Sequence, residues 1–360
     1  MRLPKPKKIL VPRYVAGMSL FKRKMVKIKL SANESALGPS PKAIKEYNKV
    51  SRNFKRYPDT DGTSLREVIA NKFKIDKDRI ILGSGSDQIF ELVCNAFIKK
   101  NDEVIVPKYS FIIYRIYSKI KGAKIIFAKE KNFTILVKDI LSKVTRRTKI
   151  VFLANPNNPT GTYVSKKELT YLRKKLRSNI LLVIDDAYFE YLKEKDYSSG
   201  LRLFSKNKNV LITRTFSKIY GLAGLRVGWG YSSKEIINSL KLIKPPFNVS
   251  RPALFAAMAS IKDVSWLKKE VNHIRKWNKI LYKKFKEMKI ATNETKTNFL
   301  LLNFDRVNIH SKKVFQKLAN KGILVRAMNV YGIKNSLRIT IGNSKENKKL
   351  IAVFRKILNV

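Results

Sequence analysis

Short apolar runs recur between residues 80 and 212, separated by stretches long enough to form a helix. The six runs cover residues 80–82, 104–106, 125–127, 150–153, 181–184 and 210–212. Their continuous apolar character predicts strands that are buried on both faces, since a strand with one wet face would alternate polar and apolar residues. Strands that alternate with helices favour an α/β fold with a mostly parallel central sheet covered by helices.

The C-terminal third follows a different pattern. Apolar residues spaced three to four apart predict a long helix over residues 264–288, and strands are predicted at 299–302, 323–325 and 337–341. We therefore predict an N-terminal arm at residues 1–45 that contributes to the small domain and the active site, a large domain at 46–247 and a small α+β domain at 248–360. Lys244-Pro245-Pro246 is the predicted hinge region.

The charge of the chain is strongly positive. The 77 lysines and arginines against 26 acidic residues give a formal net charge of +51. Basic residues are scattered through nearly every segment, with no arginine-rich arm, so a nucleic-acid partner is not favoured. The charge favours small anionic substrates through long-range steering.

Several other site types are disfavoured. The single cysteine, Cys94, excludes an internal disulfide and a cysteine-based zinc site, and its helical apolar setting indicates a buried structural thiol. The histidines His273 and His310 form no triad or metal pair, so no metal site is predicted. No apolar run of membrane-spanning length and no signal peptide is found, and we expect a soluble, cytoplasmic protein.

The most informative motif is Thr215-Phe216-Ser217-Lys218, followed by Arg226. It lies just past the apolar run 210–212, where open α/β sheets bind their ligands. Hydroxyl groups of Thr215 and Ser217 and the Arg226 guanidinium are suitable donors to one phosphate. The pattern indicates a cofactor-anchoring lysine beside a phosphate site.

Three further loops supply what a pyridoxal phosphate ring requires. Ser86 and Asp87 start a predicted helix whose amides can bind phosphate. Asn158, in a loop rich in asparagine and proline, can donate to a phenolate oxygen. Asp185 ends an apolar strand, where a carboxylate needs a cationic partner such as a pyridinium nitrogen, and Tyr188 follows three residues later as a second phenolate donor.

Three motifs occur together along the chain: Asn-Asn-Pro-Thr-Gly at 157–161, then Asp-Asp-Ala-Tyr at 185–188, then the Ser-Lys pair with its downstream arginine. A known family has the same motifs in the same order. Over residues 11–342 the chain resembles the fold-type I, class II pyridoxal-phosphate-dependent aminotransferases, and among them the histidinol-phosphate aminotransferase family. The resemblance implies that Lys218 is the Schiff-base lysine, Asp185 the ring-nitrogen partner, and Asn158 and Tyr188 the phenolate donors. It assigns the phosphate cup to Ser86, Asp87, Thr215, Ser217 and Arg226.

The same resemblance implies an aromatic ring stacked on the cofactor and a second subunit. Tyr109 matches the stacking residue, with Phe111 as the alternative because this loop is shorter than in some relatives. Tyr57 matches a tyrosine that reaches the cofactor phosphate of the partner subunit, which implies a homodimer.

Substrate recognition is inferred from the resemblance alone. Arg338 matches the arginine that grips a substrate's anionic end and Arg326 a second arginine near it, although in an ordinary protein a structural salt bridge is the default for such residues. Tyr14 and Asn33 lie in N-terminal segments that match the substrate site. The implied reaction is the histidinol-phosphate transaminase reaction, in which L-histidinol phosphate and 2-oxoglutarate give imidazole-acetol phosphate and glutamate in histidine biosynthesis.

Three alternatives remain open. The same ring-binding residues would suit an aromatic or aspartate aminotransferase, which is the first alternative. They would equally suit a lyase resembling phosphothreonine decarboxylase, which is the second. Ser35 departs from the proline or aromatic residue usual after Asn-Glu, which weakens the subfamily assignment. A basic nucleic-acid binder that has kept the fold is the third alternative, which the intact lysine, aspartate and arginine set opposes.

Overall fold

The computed structural model describes residue 11 and residues 20–21, 24–50, 52–53 and 55–360. The α-helices are α1 (Pro41–Val50), α2 (Thr63–Phe73), α3 (Ser86–Phe97), α4 (Ile113–Ile120), α5 (Val137–Ser142), α6 (Lys166–Lys175), α7 (Gly200–Phe204), α8 (Lys234–Ile243), α9 (Arg251–Lys262), α10 (Val264–Glu287), α11 (Ser311–Asn320) and α12 (Ser344–Leu358). The strands are β1 (Leu20–Phe21), β2 (Lys24–Met25), β3 (Ile28–Lys29), β4 (Ile80–Gly83), β5 (Glu103–Pro107), β6 (Lys124–Ala128), β7 (Glu130–Lys131), β8 (Thr134–Ile135), β9 (Thr148–Ala154), β10 (Leu181–Asp185), β11 (Val210–Thr215), β12 (Gly228–Tyr231), β13 (Ala291–Thr292), β14 (Phe299–Asn303), β15 (Ile323–Leu324), β16 (Arg326–Ala327) and β17 (Ser336–Thr340).

A seven-stranded sheet forms the centre, in the order β4-β12-β11-β10-β9-β5-β6. All six predicted strands belong to it and run parallel, which confirms the predicted α/β class. The seventh strand, β12, is antiparallel to β11 and β4 and was not predicted. Its sequence, Gly-Trp-Gly-Tyr, lacks a continuous apolar run, and glycine is depleted in strands.

Helices cover both faces of this sheet, as the continuous apolar strands require. In β10, Leu182 and Ile184 pack into one hydrophobic cluster, whereas Leu181 and Val183 pack into a second cluster on the opposite face. All four side chains are buried. Successive side chains of a strand point to opposite faces, so burial on both faces fixes the register of β10 and the position of the residues at its end.

The C-terminal part contains an antiparallel sheet in the order β13-β14-β17-β16, flanked by the long helix α10. The N-terminal segment joins this part, because β3 pairs in parallel with β15. The Leu30 amide donates to the carbonyl of Leu324 at 2.7 Å, and the Leu30 carbonyl accepts from Thr340 at 2.9 Å. The contribution of the arm to this part is consistent with the predicted domains, whose boundaries stay predictions.

The six parallel strands of the central sheet have their carboxyl ends at one edge, the location at which open α/β sheets bind ligands. The loops predicted to bind the cofactor follow four of them, β4, β9, β10 and β11. The segment after β3 passes over this edge and is anchored by Glu270 of α10, whose carboxylate accepts from the amides of Ala36 at 3.0 Å and Leu37 at 3.1 Å.

Two properties outside the site bear on the sequence predictions. In the described ranges, no helix is both long and apolar enough to cross a membrane. Cys94 lies buried in α3, where burial raises the pKa of its thiol to about 12, in agreement with an inert structural role.

Gly221 provides a test of the contact between the Lys218 loop and the N-terminal segment. Its φ is +71°, and a Cβ would collide with the backbone of Gly38 and Pro39. We expect Gly221→Ala to lower the free energy of unfolding by more than about 1 kcal/mol, measured by urea denaturation. Gly224→Ala is the matched control, because nothing lies within 4 Å of its Cβ position. Equal stability of the two variants would contradict this packing.

Candidate active site

A cavity of about 510 Å³ lies where the central sheet, the segment after β3 and the antiparallel sheet meet. This volume falls within the range of small-molecule pockets. Twelve of the fifteen residues predicted from the sequence line it. They are Asn33, Ser86, Asp87, Asn158, Asp185, Tyr188, Thr215, Ser217, Lys218, Arg226, Arg326 and Arg338.

Two of the other three predicted residues lie elsewhere, and the third cannot be placed. Tyr14 lies outside the described residues. Tyr57 is 80% exposed and stacks on Phe247 with a centroid distance of 4.4 Å. Tyr109 does not line the cavity but packs against Phe133 at 5.7 Å, and Phe111, the alternative, lines the cavity instead.

Lys218 lies just past the end of β11 with its ammonium group at the cavity. Its Nζ donates to the carbonyl of Ala32 at 3.1 Å. Burial, and then the positive charge of Arg338, lower the pKa of Lys218 to about 8, while Asp87 and Glu34 oppose the shift. A lysine with a lowered pKa is neutral more often near neutral pH and can act as a nucleophile or a base.

Asp185 is a buried carboxylate at the end of β10. Its Oδ2 accepts from the Tyr114 hydroxyl at 2.6 Å, and its Oδ1 accepts from the Ala187 amide at 3.2 Å and the Thr213 hydroxyl at 3.3 Å. Burial is the main cause that raises the pKa of Asp185 to about 6. Within the part of the chain that the structure describes, no basic side chain forms an ion pair with it. A cationic nitrogen of a ligand would supply the missing charge.

Two side chains present hydrogen-bond donors to the cavity. The Asn158 Oδ1 accepts from the Arg338 guanidinium, so Nδ2 is the amide atom left to donate. The Tyr188 hydroxyl accepts from Asn33 Nδ2 at 2.9 Å, which leaves its own proton for a ligand. Burial raises the pKa of Tyr188, so the phenol stays protonated.

Donors suited to a phosphate surround the start of α3. The Ser217 hydroxyl accepts from Arg226 Nη1 at 3.3 Å, and Arg226 Nη2 lies 3.5 Å from the Asp87 carboxylate. Gly85, which precedes α3, has a φ of +78°, and a Cβ there would collide with the Arg226 guanidinium. The helix N-terminus, two hydroxyls and one guanidinium thus share one end of the cavity.

Two further arginines line the cavity. Arg326 of β16 and Arg338 of β17 are directly opposite each other in the antiparallel ladder, and both are buried. Arg338 also donates to the carbonyl of Ser31 at 3.0 Å. Like charges at opposed positions repel, and a bound anion would offset the repulsion.

The structure adds residues that the sequence did not single out. Lys29 and Glu34 form an ion pair of 2.8 Å at the cavity, and Tyr331 lines it. Tyr114 contacts Asp185 from beneath the cavity. The position of Glu34 next to Asn33 was a weak indication that it belongs to the site. Nothing in the local sequence distinguishes Tyr114 from an ordinary core aromatic of α4.

Comparisons with known proteins identify the family. The profile of the aminotransferase class I and II family matches residues 26–354. This chain belongs to that family. Since the family uses pyridoxal 5'-phosphate, this aminotransferase depends on the same cofactor, as the resemblance implied.

Among curated relatives, this aminotransferase is 52% identical over 361 residues to the histidinol-phosphate aminotransferase of Pelagibacter ubique, with complete coverage of both chains. It is 40% identical to that of Paramagnetospirillum magneticum, covering 99% of this chain and 98% of the relative. The histidinol-phosphate aminotransferase of Sinorhizobium meliloti, solved in complex with pyridoxal-5'-phosphate, superposes with a TM-score of 0.87 at 22% identity. That comparison covers 93% of this chain and 92% of the solved chain, and it supports the fold.

Adjacent carboxylates offer a test of the buried charge at Asp185. Between its usual value of 3.8 and about 6, the folded protein holds a proton on Asp185 that the unfolded chain has released. The contribution of Asp185 to the stability of the cofactor-free protein therefore falls as pH rises through this window. We expect Asp185→Asn to raise the free energy of unfolding at pH 7 by on the order of 1–3 kcal/mol, measured by denaturant titration.

Asp186→Asn is the matched comparison. Asp186 is equally buried, but its carboxylate lies 3.4 Å from Arg214 and accepts from the amides of Gly200 and Leu201. Removing its charge takes the ion-pair partner at 3.4 Å away from a buried guanidinium, and we expect the free energy of unfolding to fall by about 3 kcal/mol. A stability loss of similar size in both variants would contradict an uncompensated charge at Asp185.

Proposed function

We propose that this aminotransferase transfers the amino group of L-histidinol phosphate to 2-oxoglutarate, giving imidazole-acetol phosphate and glutamate. The full-length similarity to curated histidinol-phosphate aminotransferases supports the substrate. The observation that carries the proposal is the buried pair Arg326 and Arg338, which face each other at one end of the cavity. Such a pair matches a phosphate or carboxylate group held apart from the reacting carbon.

The cavity residues fit pyridoxal phosphate. The buried carboxylate of Asp185 would hold the protonated ring nitrogen, and Asn158 Nδ2 and the Tyr188 hydroxyl would donate to the phenolate oxygen. Phe111 is the aromatic residue in place to stack on the ring. The phosphate would bind Ser86, Asp87, Thr215, Ser217 and Arg226 at the start of α3.

Lys218 would anchor the cofactor and move the proton. When bound, the cofactor supplies an electron-poor ring that stabilises the negative charge left after loss of the proton on the substrate carbon. The lowered pKa of Lys218, about 8, gives an amine that both takes up and returns a proton near neutral pH. Before substrate binds, the positive charge of Arg338 adds to the effect of burial in lowering this pKa.

One anion site would serve both amino donors and acceptors. Histidinol phosphate carries a phosphate, and glutamate and 2-oxoglutarate carry a distal carboxylate. Arg338 is fixed by its bonds to Asn158 and to the Ser31 carbonyl, so its guanidinium is oriented before an anion binds. The net charge of +51 favours the approach of all these anions. Asn33 and Tyr14 complete the proposed substrate residues.

We further propose a cytoplasmic homodimer with the domain division given above. Tyr57 and Arg226 line a second, open cavity of about 770 Å³ on the surface. An exposed tyrosine beside a phosphate-binding arginine is suited to cover the phosphate site of a neighbouring chain. Sedimentation should give the mass of two 41.5 kDa chains, and a monomer that is fully active would contradict the role of Tyr57.

The substrate is tested by a single half-reaction. Purified protein loaded with cofactor is mixed with one amino donor at a time, and absorbance follows the conversion to the pyridoxamine form. We expect histidinol phosphate to act at concentrations at least about tenfold below those of phenylalanine, aspartate or phosphothreonine, because only it combines an imidazole with a phosphate that both arginines can bind. Faster conversion by aspartate or phenylalanine would contradict histidinol phosphate as the substrate and favour an aspartate or aromatic aminotransferase. Loss of carbon dioxide from phosphothreonine would favour the lyase.

A further inference from the structure

We infer that Tyr114 is a positioning residue that holds the Asp185 carboxylate in the orientation required by the cofactor's ring nitrogen. This inference rests on the proposed role of Asp185 and not on the identity of the substrate. No sequence motif assigns a role to Tyr114, which lies one residue inside the start of α4.

Hydrogen bonds leave one acceptor position of Asp185 for a ligand. A carboxylate offers about four lone pairs in total. The Tyr114 hydroxyl takes one on Oδ2, and the Ala187 amide and the Thr213 hydroxyl take two on Oδ1. Since Asp185 lines the cavity, the remaining lone pair is available to one N–H donor there. The three protein donors come from α4, β11 and the turn after β10, so the carboxylate is fixed from several directions.

The Tyr114 ring is itself immobilised by aromatic neighbours. It stacks on Phe152 with a centroid distance of 4.9 Å and an interplanar angle of 2°. The rings of Phe90 and Phe111 meet it nearly at right angles, at 4.9 Å and 5.7 Å. Tyr114 is fully buried, so its hydroxyl has little freedom to leave Asp185. Phe111, which lines the cavity just before α4, contacts the Tyr114 ring. The proposed stacking ring is therefore packed against the residue that donates to Asp185.

The electrostatics favour the same role. Burial raises the pKa of Asp185, as does the negative charge of Asp87, whereas the hydrogen bond from Tyr114 opposes the rise. Burial and the Asp185 charge hold the pKa of Tyr114 well above its usual range, so the phenol remains a donor. The hydrogen bond from Tyr114 thereby favours the ionised carboxylate, which is the form that attracts a protonated ring nitrogen.

The test compares two ligands that differ only at the ring nitrogen. The full-length protein is freed of cofactor and titrated with pyridoxal phosphate and with 1-deazapyridoxal phosphate, in which carbon replaces that nitrogen. Absorbance and tryptophan fluorescence report binding without any turnover. We expect Tyr114→Phe to weaken pyridoxal phosphate about tenfold and to leave the deaza analogue unchanged, since the analogue has no N–H for Asp185.

Tyr231→Phe is the matched control and should change neither affinity, because this buried tyrosine of β12 lies beside Arg79 and Asp76, outside the residues that line the cavity. Binding of the analogue also reports that the variant pocket is folded. Equal weakening of both ligands by Tyr114→Phe would show a merely structural role and overturn the inference, as would unchanged affinity for both. A wild-type protein that binds the two ligands equally would overturn the role of Asp185 and that of Tyr114 with it. The half-reaction with histidinol phosphate tests the substrate separately.

Discussion

The active site depends on one energetically costly feature, the burial of the charged Asp185 carboxylate at the end of β10. Burial on both faces of the sheet fixes the strand, and three protein donors fix the carboxylate, yet no basic side chain among the described residues neutralises it. A group in this state attracts a cation strongly because little water competes with it. We propose that this charge sets the position of the cofactor's ring nitrogen and thereby the orientation of the cofactor among the other cavity residues.

The positive groups are arranged around that centre. Arg226 lines the cavity beside the start of α3, where we propose that the cofactor phosphate binds, and we propose that the opposed pair Arg326 and Arg338 binds the substrate anion. The lowered pKa of Lys218 is caused mainly by burial, and the charges of Arg338 and Arg226 add to it. Two of the arginines that are proposed to bind anions therefore also favour the neutral, basic form of the lysine in the ligand-free protein.

Sequence reasoning predicted much of this because parallel strands and their following loops are local features. The six apolar runs predicted six of the seven strands of the central sheet, and twelve of fifteen predicted residues line one cavity. Tyr109 and Phe111 are two residues apart, so only the path of the loop decides which ring faces the cavity. The opposition of Arg326 and Arg338 and the contact of Tyr114 with Asp185 depend on long-range packing, which one sequence does not display.

The central claim is that one lysine, among 77 basic residues, carries the cofactor. It is tested most directly by loading the protein with pyridoxal phosphate, reducing it with borohydride to fix the cofactor on its lysine, and mapping the modified peptide by mass spectrometry. The account predicts stoichiometric modification of Lys218, whose burial and lowered pKa distinguish it from the exposed lysines. Modification spread over surface lysines, or concentrated on a different residue, would contradict it.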